Sequence, residues 1–130
     1  MIGLDTNVLV RYSVRDDRAQ AQRADAAIRA CTAKEPGFVA MVSLAEMAWV
    51  LRSYYRMPKA QLLICIERLF DAQNLVMEGA PAVRMALDRF ARANCDFTDC
   101  LIERSGHQAG CRHTVTCDVN ASKTAGMKLL

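Results

Sequence analysis

MIGLDTNVLVR, residues 1–11, is an apolar run that breaks off at Asp5 and resumes at Val8. An acid this close to the amino terminus has a natural place in a parallel α/β sheet. Ile2 to Leu4 reads as a first strand, and the residue leaving such a strand stands at the carboxyl edge, where ligands of these sheets gather. An export signal would put basic residues ahead of a longer apolar stretch, so the early acid predicts none.

The rest of the chain repeats the alternation of short apolar runs and helical patterns. Ala24, Ala27, Ile28 and Cys31 recur at helical spacing within 17–31, ahead of the breaker pair Pro36-Gly37. Phe38 to Val42 is expected as a second strand. A helix from about Leu44 to Arg56 carries Met47, Trp49, Val50, Leu51 and Tyr54, and Pro58 suits the first turn of another through Leu62, Leu63, Ile66, Leu69 and Phe70. Leu75 to Met77 follows as strand three. Pro81 opens a helix with Val83, Leu87, Phe90 and Ala91 on one face, and Phe97 to about Gln108 forms the next. Thr114 to Cys117 is a fourth strand and Met127 to Leu130 a short fifth. Strands alternating with helices predict an α/β fold: a three-layer α/β/α sandwich with a central parallel sheet of four to five strands, in one domain over 1–130.

Composition excludes more than it selects. With 130 residues and a formal net charge of +3, the chain is mildly basic, which suits a polyanionic partner without demanding one. No apolar stretch approaches the roughly 20 residues of a membrane-spanning helix. The six cysteines fall largely within apolar patterns and show no paired metal spacing, so reduced thiols in a cytoplasmic protein are expected, and His107 and His113 do not make a zinc site with them.

Four acids draw attention. Asp5 and Asp118 each follow a strand, while Glu46 and Asp99 fall in the first turn of expected helices. Each has a structural reading of its own: Ser43 to Glu46 spells a capping box, Asp96 can cap the helix containing Asp99, and Asp5 and Asp118 can hold turn amides. Brought together at one edge, however, like charges about 4 Å apart repel by ~4 kcal/mol at the effective dielectric of a partly buried site. Retained protons or a divalent cation would offset this, and an all-carboxylate set suits Mg²⁺ or Mn²⁺. A hard ion beside helix amino termini fits phosphodiester hydrolysis by metal-activated water.

LDTNVLVR at 4–11, SLAEMAWVL at 43–51, DFTDCLIE at 96–103, and TVTCD followed by a terminal GMKLL together resemble the PIN-domain ribonucleases, and more narrowly the VapC-type toxins of bacterial toxin-antitoxin pairs. The likeness covers essentially the whole chain in order. It implies an Mg²⁺- or Mn²⁺-dependent endoribonuclease. Asp5, Glu46 and Asp99 match the family's first three acids and Asp118 its variable fourth, with Asp96 as an auxiliary acid or a cap. Asn7 and Thr116 match polar positions that orient carboxylates or hold water, though a cap and a strand residue explain them equally. Cys117 departs from the aromatic or charged residue often found there. The resemblance also implies a homodimer, a cognate antitoxin, and contact with operator DNA only through the toxin-antitoxin complex.

Arginines cluster at 11, 15, 18, 23 and 29 and again at 84, 89 and 92, interspersed with acids that suit a solvated face. Arg11, just behind the Asp5 motif, is the candidate RNA contact. Trp49, Tyr54 and Tyr55 have stacking chemistry, but their spacing points to core or dimer packing. A catalytically silent RNA- or protein-binding module is the main rival. A phosphoacceptor domain also fits an α/β sheet, but leaves Glu46 without a task.

Overall fold

The computed structural model describes all residues from Met1 to Leu130, which form two compact units, Met1–Glu78 and Gly79–Leu130. No helix is long and apolar enough to cross a membrane.

The first unit runs β1 (Ile2–Gly3), α1 (Thr6–Ser13), α2 (Arg18–Arg29), β2 (Gly37–Val39), α3 (Met41–Ser53), α4 (Lys59–Asp71) and β3 (Leu75–Met77). Its strands pair in the order β1-β2-β3, all parallel, with Ile2 opposite Gly37 and Gly37 opposite Leu75. Gly37 is small for a reason: a Cβ there would stand 2.6 Å from Leu75 Cδ2 and 2.9 Å from Cys31 Sγ, closer than packed atoms approach. Leu9, Val39, Leu44, Met47, Leu51, Leu62 and Ile66 are fully buried, so α1, α3 and α4 each commit an apolar stripe to this core.

The second unit runs α5 (Ala80–Arg92), α6 (Phe97–Gln108), β4 (Val115–Thr116), α7 (Val119–Thr124) and β5 (Lys128–Leu129). Helices α5 and α6 pack against each other, with Phe90 and Phe97 edge to face at 5.8 Å, and Val83, Ala86 and Cys100 are fully buried on the same two helices. β4 and β5 pair parallel with each other. Arg89 Nε donates to the carbonyl of Thr124, and its guanidinium lies over Gly126, which has a φ of +81°. A Cβ at that glycine would meet Arg89 Nη2 at 3.0 Å.

The α/β class with parallel strands therefore holds, and the five strand locations match expectation within a few residues. Hydrogen bonding divides them into a set of three and a set of two, each closed within its own unit. All six cysteines are free thiols, four buried and two, Cys111 and Cys117, exposed.

Candidate active site

At the carboxyl edge of the three-stranded sheet, the chain leaves β1 through Asp5, the N-cap of α1, whose carboxylate accepts the Asn7 amide at 3.4 Å. The neighbouring Thr6 is buried, and its hydroxyl donates to Glu46 Oε2 at 2.9 Å. One hydrogen bond thus ties the residue after Asp5 to the second acid across 40 positions of sequence.

Glu46 is not in a first turn. α3 begins at Met41, with Ala40 as N-cap and no side-chain capping bond, so Glu46 is its sixth residue and the expected capping box does not form. The cap comes instead from Glu78, which follows β3 and accepts the Met41 amide at 2.6 Å. Sequence reading missed Glu78 as a member of this edge, although the rule that selected Asp5 and Asp118, an acid directly after a strand, applies to it as well.

In the second unit, Asp96 is the N-cap of α6 and accepts the Thr98 amide at 2.8 Å, as its capping reading anticipated. Asp99 lies in the first turn of that helix, half-buried. Burial pushes its carboxyl above the ordinary aspartate range, and the negative charges of Asp96 and Asp118 push it further. Asp96 and Asp118 therefore lie near enough for their charges to be felt at Asp99. Asp118 caps α7 by accepting the Ala121 amide at 3.1 Å, while Thr116 Oγ1 accepts the Asp118 amide at 3.0 Å and fixes the turn. Thr116 thus holds the backbone of Asp118 while remaining a strand residue. α7 itself had no counterpart in the sequence reading.

Capping does not use up these carboxylates. Each has two oxygens and about four acceptor positions, of which a cap bond takes one. Within neither unit do three or more acidic, histidine or cysteine side chains form a ready metal cage. Mg²⁺ does not require one, since it keeps several waters and is commonly held by one or two carboxylates. The donors present are oxygens, and the excess negative charge felt by Asp99 is what a divalent cation would relieve. The acids fit a hard cation.

Arg11 Nη1 donates to Asp16 Oδ1 at 2.6 Å and to the Tyr55 hydroxyl at 3.3 Å, and Tyr55 in turn donates to Asp16 Oδ2 at 3.2 Å. Burial acts to raise the Asp16 pKa, but the hydrogen bonds from Tyr55 and Arg11, the Arg11 charge and the Asp17 amide together hold the carboxyl below its usual value. Arg15 grips Asp25 with two parallel bonds of 3.1 and 2.7 Å, and Arg92 pairs with Asp88 at 3.1 Å, so much of the arginine cluster is matched by neighbouring acids. Trp49 and Tyr54 are 63% and 76% exposed, which removes the core-packing explanation for both.

No curated protein matches the chain. Residues 2–127 match the PIN domain, whose members are generally nucleases that act on RNA and use divalent metals. With that match spanning nearly the whole sequence, and with parallel strands leading into acidic helix starts, the chain belongs to the PIN-domain family.

Proposed function

We propose that this protein is an Mg²⁺- or Mn²⁺-dependent endoribonuclease, a single PIN domain over 1–130, and the toxin of a toxin-antitoxin pair. The observation that carries the nuclease reading is the family match over 2–127. The order and spacing of the four motifs support the toxin subtype. In this reading the protein is a cytoplasmic homodimer, a cognate antitoxin silences it, and operator DNA is contacted only through the toxin-antitoxin complex.

Asp5, Glu46, Asp99 and Asp118 are the acids assigned to the metal and to catalysis, with Asn7, Asp96 and Thr116 as auxiliaries and Arg11 as an RNA contact. When bound, the cation supplies a Lewis acid and a water activated near neutral pH. The chain's own residues hold the acids in place. Thr6 restrains Glu46, Thr116 fixes the turn at Asp118, and the cap bonds of Asp5 and Asp96 set their rotamers. Burial of Asp99 keeps water from screening its charge.

The decisive experiment is cleavage of a broad RNA pool by purified, partner-free protein in Mg²⁺, in Mn²⁺ and in EDTA, beside Asp99→Asn. Metal-dependent cutting that disappears in a folded Asp99→Asn protein is expected. A folded variant that still cuts would remove the assigned mechanism. The rival, a silent binding module of the same fold, draws on one observation: Asp5, Asp96 and Asp118 all do capping work. It predicts RNA or protein binding that survives EDTA and no cutting at any metal concentration.

A further inference from the structure

Helices α1 and α2 enclose between them a groove of about 340 Å³ that lies wholly within the first unit. Its lining is mostly apolar, from Val8, Ala24 and Ala27 together with carbon of the longer side chains, and its other lining residues are Asn7, Gln20, Arg11 and Arg23, with no acidic residue among them. Its size is at the lower end of small-molecule pockets, which start at about 300 Å³. Arg11 is held from behind, because Asp16 and Tyr55 both engage Nη1, and a guanidinium has five donors in a fixed fork. It is oriented without being consumed. Asn7 is two residues beyond Asp5, and a rise of 1.5 Å per residue puts Arg11 about 9 Å along the helix from that acid.

We propose that the α1–α2 groove is a nucleotide subsite for the RNA substrate. Arg11 and Arg23 take phosphate, while Asn7 and Gln20 read the edge of a base lying against Val8 and Ala27. Asp16 and Tyr55 are positioning residues for Arg11. The identity of the ligand rests on the nuclease reading given above. Two arginines and no acid among the lining residues favour a polyanion, with Arg23 and the Arg11 donors that Asp16 leaves free as the cationic groups. Amides beside apolar surface suit an unpaired base, whose hydrogen-bonding edges and flat faces are both exposed in single-stranded RNA. The groove also begins next to Asp5, the residue assigned to the reaction.

The test is fluorescence anisotropy of a labelled single-stranded RNA oligonucleotide, in EDTA so that nothing is cut. Ala27→Trp fills the groove from an exposed position without changing charge. It is expected to weaken binding tenfold or more while leaving the salt dependence intact. Arg11→Ala and Arg23→Ala should each lower the slope of log affinity against log salt by about 0.7, the loss of one phosphate contact to a single strand. Gln20→Ala, also at an exposed position, serves as a second probe of the groove and should alter preference among oligonucleotides of different base.

Unchanged binding in both Ala27→Trp and Gln20→Ala overturns the subsite, whatever the arginine variants do, because charge alone then accounts for them. Capture of an acidic peptide that Ala27→Trp abolishes, with RNA binding unaffected, overturns it in favour of protein docking. Cleavage assays on the same proteins keep the two readings apart. Groove-dependent RNA binding without cutting in Mg²⁺ or Mn²⁺ would remove the nuclease and leave the subsite. Metal-dependent cutting indifferent to both groove variants would do the reverse.

Discussion

Thr6 shows what a single hydroxyl can do. The DTN triplet marked Asp5 and Asn7 as the polar positions of interest, yet the buried residue between them is the one that reaches Glu46. Nothing local announces a bond spanning 40 positions, so sequence reading had the acid but not its restraint. Thr6→Val keeps the shape and removes the donor. The expected result is about a tenfold loss of cleavage, equivalent to ~1.4 kcal/mol, with little change in melting temperature. Asp99 carries a pH signature. Its folded pKa is raised above the ordinary 3.8, chiefly by burial and then by Asp96 and Asp118, so the folded chain binds more protons than the unfolded chain just above that value. Stability from this group is present at low pH and is lost as pH rises through the raised pKa. In EDTA, Asp99→Asn should therefore gain on the parent as pH rises from the ordinary 3.8 through the raised value, as read by thermal melting at a series of pH values. Added Mg²⁺ should stabilise the parent more than the variant. A gap that narrows with rising pH would contradict this origin of the shift.

Among the secondary-structure elements, those legible from sequence were the ones whose ends are marked locally. β3 and α6 fall where hydrophobic pattern and punctuation place them, at Leu75–Met77 and Phe97–Gln108. Pro58 acts one position earlier than expected, as the N-cap of α4. The start of α3 was obscured because its cap is remote: Glu78, 37 residues away, serves Met41, while the plausible Ser43–Glu46 signature lies inside the helix. Loss of a helix cap costs roughly 1 kcal/mol. Glu78→Ala should lower unfolding free energy by about that amount in urea, whereas Ser43→Ala should stay within about 0.5 kcal/mol of the parent. Equal losses would restore the capping box. Helix α7 escaped notice because VNASKT is short and has no apolar stripe; it exists by virtue of the Asp118 cap and the burial of Ala121.

For the molecule entire, parallel strands and acidic strand ends could be read from alternation alone, since both follow from the pairing of short apolar runs with helices. The grouping of strands into three and two could not, because partner choice depends on packing that no single run encodes. Thiol chemistry gives a check on the whole packing. Cys111 and Cys117 are exposed, and Cys31, Cys65, Cys95 and Cys100 are buried; burial, with help from the neighbouring Cys95, also raises the Cys100 thiol pKa. A thiol reagent should label two groups rapidly in the native protein and all six after denaturation, and fast labelling of more than two would mean a looser core. Gly126 bears on a different kind of experiment. Its φ of +81° disfavours every side chain, and the guanidinium of Arg89, 3.0 Å from where a Cβ would stand, would also have to shift. In a library of all amino acids at each position, sorted only for folded protein, position 126 should return glycine while position 99 tolerates several residues. Sorting the same library for RNA cutting should then fix aspartate at 99 and again return glycine at 126, separating what the architecture requires from what the chemistry requires.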